Sequence, residues 1–223
     1  MNALTAVRPI ETTGADDLNL DAILPTLTER FAATADLLDR DSSFPFDNFA
    51  ALHEAGLLTL TTPKSLGGHG ADLPTTLKVL QAVARGEPAT ALVLSMQYLF
   101  HASLETRGGW PDHLKRLVAE DARQNGGLIN ALRVEPDLGT PARGGLPATV
   151  ARHTPDGWRI SGRKIYSTGS PALTWMVVWA HRGRRPARRR LAGAPRCSGL
   201  AHRGGITPAY APAAATTWCS RMS

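Results

Sequence analysis

The chain has 223 residues, of which 43% are hydrophobic and 20% charged, enough to bury the core of one large or two small domains. No apolar run reaches the roughly 18–20 residues that a membrane-spanning helix requires. The acidic first 22 residues are also unlike a secretory signal. We therefore expect a cytoplasmic protein with no membrane partner.

The formal net charge of +6 comes from the last 43 residues, which hold nine arginines and no acidic residue. The preceding 180 residues hold the other 16 basic residues against 19 acidic ones, a net charge of −3. Both cysteines, Cys197 and Cys219, also lie in this tail, so neither disulfides nor a thiolate metal site are predicted elsewhere. The tail lacks interleaved aromatic residues and helical periodicity, which argues against a nucleic-acid partner.

Residues 1–20 show no apolar periodicity and are predicted to form a loose arm, whereas the periodicity that follows predicts a helical region over residues 21–125. Helices are predicted around Ile23–Leu38, over residues 47–55, and from Pro74, Pro88 and Pro111, because proline is accepted in a first helical turn. The predicted inward residues are Leu77, Leu80 and Val83 on the third helix, and Leu114 and Leu117 on the fifth. Residues 57–62 are predicted to be extended, and the glycine-rich residues 63–70 to form a loop.

The pattern changes to strands after Gly126 and Gly127. Residues 149–153 and 158–161 are extended on either side of a Thr-Pro-Asp-Gly turn, and residues 175–180 form a buried strand. Helices followed by strands predict an α+β fold. We expect an N-terminal all-α domain over residues 21–125 and then a truncated antiparallel β domain over residues 126–180.

Three motifs follow one another over about 130 residues. The first lies within residues 41–70 and includes Leu-Gly-Gly-His-Gly from Leu66. The second is Glu-Pro-Asp-Leu-Gly-Thr from Glu135, and the third runs from Gly157 through Ser-Gly-Arg-Lys to Tyr-Ser-Thr-Gly, ending at Gly169. Together they resemble the acyl-CoA dehydrogenase family, which has Thr-Glu-Pro-x-x-Gly-Ser-Asp and Gly-x-Lys-x-Trp-Ile-Thr-Asn at the second and third.

The resemblance implies an FAD site in the β domain, with Val134, Gly139, Thr140, Tyr166 and Thr168 as its residues. Amides and a hydroxyl near Gly139 and Thr140 would approach the pyrophosphate, because glycine permits close approach and amides donate to an anion. Tyr166 takes the place of the family's aromatic residue beside the isoalloxazine, and Thr168 that of its threonine near flavin N5. Without the neighbouring motifs, both residues would be interpreted as packing residues on a β surface.

Three positions depart from the family's motifs. Val134 stands where the family has a threonine, so one side-chain hydrogen bond to the flavin ring would be lost. Pro141 replaces an aspartate, and Arg133 stands where a small or apolar residue is usual. Two hypotheses therefore remain: a dehydrogenase that oxidises an acyl thioester at Cα–Cβ, and, as the alternative, a flavin monooxygenase of the same fold. Glu135 is predicted to order its loop rather than to act as a catalytic acid.

The resemblance also implies an acyl-CoA substrate, an electron acceptor, a homo-oligomer, and a catalytic carboxylate in a helical bundle beyond Ser223. We therefore assign no catalytic residue and no metal ligand in this chain. Shifting the reading frame by one base near Ala180, and by two bases near Gly205, yields sequences like the family's next strands. Residues 181–223 are interpreted as a frame-shifted, disordered tail on a truncated, inactive relative. The alternative is a non-catalytic fragment whose basic tail binds polyanions.

Overall fold

The computed structural model describes residues 18–106, 110–138, 146–155 and 157–182, together with the backbone of residues 196–202 and 205–207. The α-helices in this part of the chain are α1 (Leu20–Asp41), α2 (Phe46–Glu54), α3 (Leu73–Gly86), α4 (Pro88–Thr106) and α5 (Asp112–Asn125). Short 3₁₀ helices at Leu57–Thr59 and Lys64–Leu66 connect α2 to α3. No helix among the described residues combines the length and apolar content needed to cross a bilayer.

The predicted order of the helices is confirmed, but the prediction for the segment that follows α2 is wrong. Residues 57–62, predicted to be extended, begin with the 3₁₀ helix Leu57–Thr59. Gly56 adopts a left-handed φ of 71°, which turns the chain straight from α2 into this helix. Leu57, Leu58 and Leu60 are all buried. A short run that is buried on every side fits neither the helical nor the strand period, so periodicity could not identify it.

Two helices also turn slightly different faces to the core than predicted. On α3, Val83 is buried as expected, but Val79 and Ala82 accompany it while Leu77 is exposed. A Cβ at Gly86 would lie 2.7 Å from the carbonyl oxygen of Thr28, so this close approach to α1 fixes the rotation of α3. On α5, Leu114 is buried as predicted, but Val118 takes the buried place expected for Leu117.

The strands form one mixed sheet, which corrects the predicted antiparallel domain. They are β1 (Leu128–Leu132), β2 (Val150–Thr154), β3 (Gly157–Ser161), β4 (Leu173–Arg182), β5 (Arg196–His202) and β6 (Gly205–Thr207). The antiparallel hairpin of β2 and β3 is confirmed. However, β4 runs parallel to both β1 and β2 and antiparallel to β5. The long connection from β1 to β4 is the crossover that parallel pairing requires.

The backbone of two strands, β5 and β6, is described within residues 181–223, for which a frame-shifted, disordered tail is predicted. β5 pairs with β4 from Trp175 opposite His202 to His181 opposite Arg196. An edge of β4 offers a row of backbone donors and acceptors, and pairing with it requires no particular side-chain pattern. Strand β4 itself ends at Arg182, two residues after Ala180, where the β domain is predicted to end.

The core joins the helices to the sheet on both faces of β1 and β4. On one face, residues of α1 to α4 pack with residues of the strands, including Phe31, Leu52, Val83, Leu94, Leu128, Leu173 and Val178. On the other face, α5 packs Leu114 and Val118 against Ile129, Trp175 and Val177. Because β4 is covered on both sides, its sequence is an almost continuous apolar run.

Candidate flavin site

The second and third motifs lie side by side in the fold. The amide of Ile165 donates to the carbonyl oxygen of Val134 over 3.0 Å, which joins the segment after β1 to the segment after β3. The chain between β3 and β4 thus runs along the end of β1. This contact brings the residues around Glu135 against those around Lys164.

A buried ion pair fixes the two motifs to one another. Nζ of Lys164 lies 2.8 Å from Oε1 of Glu135, with 7% and 3% of the two side chains exposed. Lys164 also donates to the carbonyl oxygen of Trp179 on β4 over 2.6 Å. One side chain therefore connects the second motif, the third motif and the central strand.

Glu135 has the structural role predicted for it, because it bonds the described residues at the far end of its loop. Its carboxylate accepts hydrogen bonds from the amides of Ala148 (2.6 Å) and Thr149 (2.9 Å), and from the hydroxyl of Thr149. Burial raises the pKa of this carboxyl, but the hydrogen bonds from Lys164, Thr149 and Ala148 outweigh it and lower the pKa to about 2. Burial lowers the pKa of Lys164, against the opposing effect of Glu135. A carboxylate held ionised in this way serves structure and is a poor proton donor.

Gly162 of the third motif lies directly against this cluster. A Cβ at Gly162 would lie 2.4 Å from the hydroxyl oxygen of Thr149 and 2.6 Å from its Cα. No side chain fits in this space unless Thr149 moves, and Thr149 holds Glu135. The Gly-x-Lys spacing therefore has a physical cause: glycine admits Thr149, and the lysine two residues later reaches Glu135.

Tyr166 has a strained backbone and an exposed ring. Its φ is 53°, and Ser42 at the end of α1 is the other described non-glycine residue with positive φ. Such a left-handed conformation is unfavourable for a bulky residue and persists where the surroundings enforce it. The amide of Thr168 donates to the carbonyl oxygen of Tyr166 over 3.0 Å. The turn leaves 82% of Tyr166 exposed.

Two contacts hold the far side of this turn. The side-chain amide of Asn130, on β1, donates to the carbonyl oxygen of Thr168 over 2.9 Å. Gly169 follows with a φ of 81°, and a Cβ there would lie 2.9 Å from Cγ1 of Val93 on α4. The Tyr166 turn is therefore fixed against both the sheet and the helices.

Three of the five predicted site residues are brought to this region. Val134, which is half-buried, lies beside Ile165, and Thr168, also half-buried, follows the exposed Tyr166. Gly139 and Thr140 lie outside the described residues. Sequence reasoning missed Asn130, although an amide in the otherwise apolar run Leu-Ile-Asn-Ala-Leu was a visible signal.

A separate polar network attaches α4 to β1. Nδ1 of the buried His101 lies 2.6 Å from the hydroxyl of Thr62, and its Nε2 lies 3.0 Å from the amide nitrogen of Gln97. Oε1 of Gln97 accepts from the amide of Ile129 over 2.8 Å, which bridges helix and sheet. Burial lowers the pKa of His101 to about 4. The imidazole is therefore neutral at physiological pH.

A separate concave surface among the described residues contains none of the predicted site residues. An open groove of about 380 Å³ lies between α1 and α3, where Asp21 and Lys78 form an ion pair. Both side chains of this pair are largely exposed. The described residues contain no cluster of three side chains suited to a metal ion.

Helices followed by this mixed sheet define an acyl-CoA dehydrogenase-like fold. The family model for the N-terminal domain of acyl-CoA dehydrogenases matches residues 20–116. The resemblance to the acyl-CoA dehydrogenase family is thus confirmed, and residues 20–116 belong to its N-terminal domain.

Two curated relatives support this assignment. YdbM of Bacillus subtilis (strain 168), which bears the name of an acyl-CoA dehydrogenase, is 33% identical over 154 residues, or 69% of this chain and 40% of YdbM. The mitochondrial short-chain specific acyl-CoA dehydrogenase of Rattus norvegicus is 27% identical over 144 residues, or 64% of this chain and 34% of that enzyme. The chain thus spans about two fifths of these relatives or less.

Two solved structures share this fold. KijD3 in complex with FMN and a dTDP-linked amino-keto sugar has a TM-score of 0.69 and 28% identity, covering 87% of this chain and 46% of KijD3. TdsC from Paenibacillus sp. A11-2, solved with FMN and indole, has a TM-score of 0.70 and 20% identity, covering 86% of this chain and 46% of TdsC. At that identity, the likeness to TdsC shows the fold alone.

Proposed function

We propose that this chain carries a flavin-binding site of an acyl-CoA dehydrogenase-type oxidoreductase. One observation carries the proposal: the ring of Tyr166 is exposed on a left-handed backbone that neighbouring contacts enforce. An exposed aromatic ring at a strained position contributes little to folding, so a binding role explains it better. In the third motif, Tyr166 stands at the position where the acyl-CoA dehydrogenase family has the aromatic residue beside the isoalloxazine.

The residues around Tyr166 fit a flat, partly apolar ligand with polar edges. The ring of Tyr166 offers a face for stacking. By the resemblance, the hydroxyl of Thr168 would donate a hydrogen bond near flavin N5, and Val134 would supply an apolar contact in place of the family's hydroxyl. Gly139 and Thr140, outside the described residues, would bind the pyrophosphate. When bound, a flavin supplies the electron-accepting chemistry that protein side chains lack.

We propose FAD as the cofactor, by family resemblance, and FMN as the alternative because KijD3 was solved with FMN. From the same resemblance, we propose that the substrate is an acyl thioester oxidised at Cα–Cβ. We also propose a separate electron acceptor and a homo-oligomeric assembly. These properties concern proteins more than twice the length of the matched part. We assign no catalytic base in this chain, and we propose that it does not turn over substrate by itself.

A flavin monooxygenase of the same fold is the second candidate. The observation that favours it is Val134, which removes a hydroxyl that the dehydrogenase motif places at the flavin ring. Titrating the flavin-loaded chain with acyl-CoA separates the two candidates. Perturbation of the flavin absorption by acyl-CoA supports the dehydrogenase, and an FMN preference without any response to acyl-CoA supports the monooxygenase.

The proposal is tested by titrating the full chain with FAD and with FMN, following flavin fluorescence. Because an aromatic contact contributes about 0.5–1.5 kcal/mol, Tyr166→Ala should weaken binding by about 2- to 10-fold. Phe46→Ala is the matched control, since Phe46 is an exposed aromatic residue on α2. Equal affinities for the unaltered chain and for Tyr166→Ala would refute the proposed site.

A further inference from the structure

Asn130 is a buried amide in a strand whose neighbouring side chains are apolar. It lies in the middle of β1, where 5% of it is exposed. Its Oδ1 accepts from the amide of Ala131 over 2.7 Å, and its Nδ2 donates to the carbonyl oxygen of Thr168 over 2.9 Å. Burying a polar side chain is unfavourable unless its groups are hydrogen-bonded. Both ends of this amide are satisfied, and one of its partners belongs to the Tyr166 turn.

The Tyr166 turn has one backbone anchor before the strained residue and one side-chain anchor after it. The amide of Ile165 is bonded to Val134, which fixes the entry to the turn. Asn130 fixes the exit at Thr168. A left-handed tyrosine relaxes to an ordinary conformation if its surroundings allow it. Without the exit anchor, the turn can relax, and both the ring of Tyr166 and the hydroxyl of Thr168 then move.

We propose that Asn130 is a positioning residue of the flavin site: its amide holds the Tyr166–Thr168 turn in the conformation that receives the flavin. The inference rests on the proposed function, because it concerns the same site. Asn130 acts through the carbonyl oxygen of Thr168, so its effect is on the placement of other groups.

The test compares Asn130→Ala with Asn48→Ala in the full chain. Asn48 is a matched control, because it is also a buried amide and donates to the hydroxyl of Thr90 over 3.0 Å, but it lies on α2 in the helical region. Two quantities are measured: hydrogen exchange of residues 162–170 without flavin, and the dissociation constants for FAD and FMN. Asn130→Ser, which keeps a short polar side chain, is the second variant.

We expect Asn130→Ala to speed exchange in residues 162–170 at least tenfold and to weaken flavin binding at least fivefold. Asn48→Ala should lower the thermal stability by a similar amount but should change neither the exchange of residues 162–170 nor the flavin affinity. Equal effects of the two alanine variants would overturn the inference, and so would unfolding of both Asn130 variants while Asn48→Ala stays folded. If the exchange result holds but the unaltered chain binds no flavin, the proposed function fails, and only the anchoring of the turn by Asn130 survives.

Discussion

Replacing Lys164 by methionine removes one partner of the buried ion pair and leaves the other in place. Glu135 would keep its hydrogen bonds from Ala148 and Thr149 but would lose the cation with which it is paired. Breaking a buried pair from one side is strongly destabilising, because the remaining charge stays buried without compensation. We therefore expect Lys164→Met to destabilise the junction between the second and third motifs.

Against the opposing effect of burial, the pKa of Glu135 is lowered from 4.5 to about 2 by Lys164, Thr149 and Ala148 together. At about 1.4 kcal/mol per pKa unit, all these contacts of the carboxylate contribute about 3 kcal/mol, of which Lys164 supplies one part. The magnitude expected for Lys164→Met therefore comes from the roughly 3–5 kcal/mol lost when one partner of a buried pair is removed. A carboxyl with a lowered pKa stabilises the fold fully above pH 4.5, and this contribution is lost as the pH falls towards 2.

Urea unfolding at pH 7 and at lower pH measures the effect. Lys164→Met should lower the free energy of unfolding by about 3 kcal/mol at pH 7, and the difference should shrink below pH 4.5. Lys115→Met is the control, because Asp112, the partner of Lys115, is 80% exposed and such pairs contribute about 1 kcal/mol or less. Equal losses for the two variants would refute this account of the junction.

Three further predictions concern the core, the junction and the tail. Burial lowers the pKa of His101 from 6.5 to about 4, so its contribution to stability is complete above pH 6.5 and is lost as the pH falls to 4. Thermal unfolding from pH 7 to 4.5 should therefore depend less on pH in His101→Gln than in the unaltered chain, and parallel profiles would contradict this. Gly162→Ala should lower the free energy of unfolding by about 1–3 kcal/mol through its clash with Thr149, whereas Ser161→Ala at the exposed neighbouring position should stay within about 0.5 kcal/mol. Sequencing the gene across codons 179–223 should show that the shifted frames encode further alternating strands, and their absence would argue for a genuine arginine-rich tail.

The helical region was predictable because its signals are local. Pro74 and Pro88 lie in the first turns of α3 and α4, Pro111 directly precedes α5, and Gly126, with a φ of 70°, ends α5. The faces of the helices were less predictable. The rotation of α3 depends on how closely Gly86 approaches Thr28, a contact between residues 58 positions apart. Periodicity within one helix contains no information about such a contact.

The direction of the strands was not predictable for a related reason. The Thr-Pro-Asp-Gly turn specifies the β2–β3 hairpin through its own backbone preferences. The parallel pairing of β1 with β4 instead depends on where a long connection returns, and no local residue encodes this. β1 itself was not identified as a strand, because five mostly apolar residues fit either a strand or a buried helix.

Within the site, the motifs located Val134, Tyr166 and Thr168, but not the groups that hold them. Lys164 and Glu135 are 29 positions apart, and their pairing requires the fold. The amide of Asn130 in an apolar run is a visible signal of a buried polar contact, but its partner is a backbone carbonyl oxygen, which the sequence does not identify. The left-handed conformation of Tyr166 was likewise invisible, because tyrosine does not favour it.

The central claim is that the Tyr166 turn receives a flavin, and an equilibrium titration of the purified full chain with FAD and FMN tests it most directly. The account predicts saturable quenching of flavin fluorescence, weakened about 2- to 10-fold by Tyr166→Ala and unchanged by Phe46→Ala. Binding that is absent, or that is indifferent to Tyr166→Ala, would contradict it.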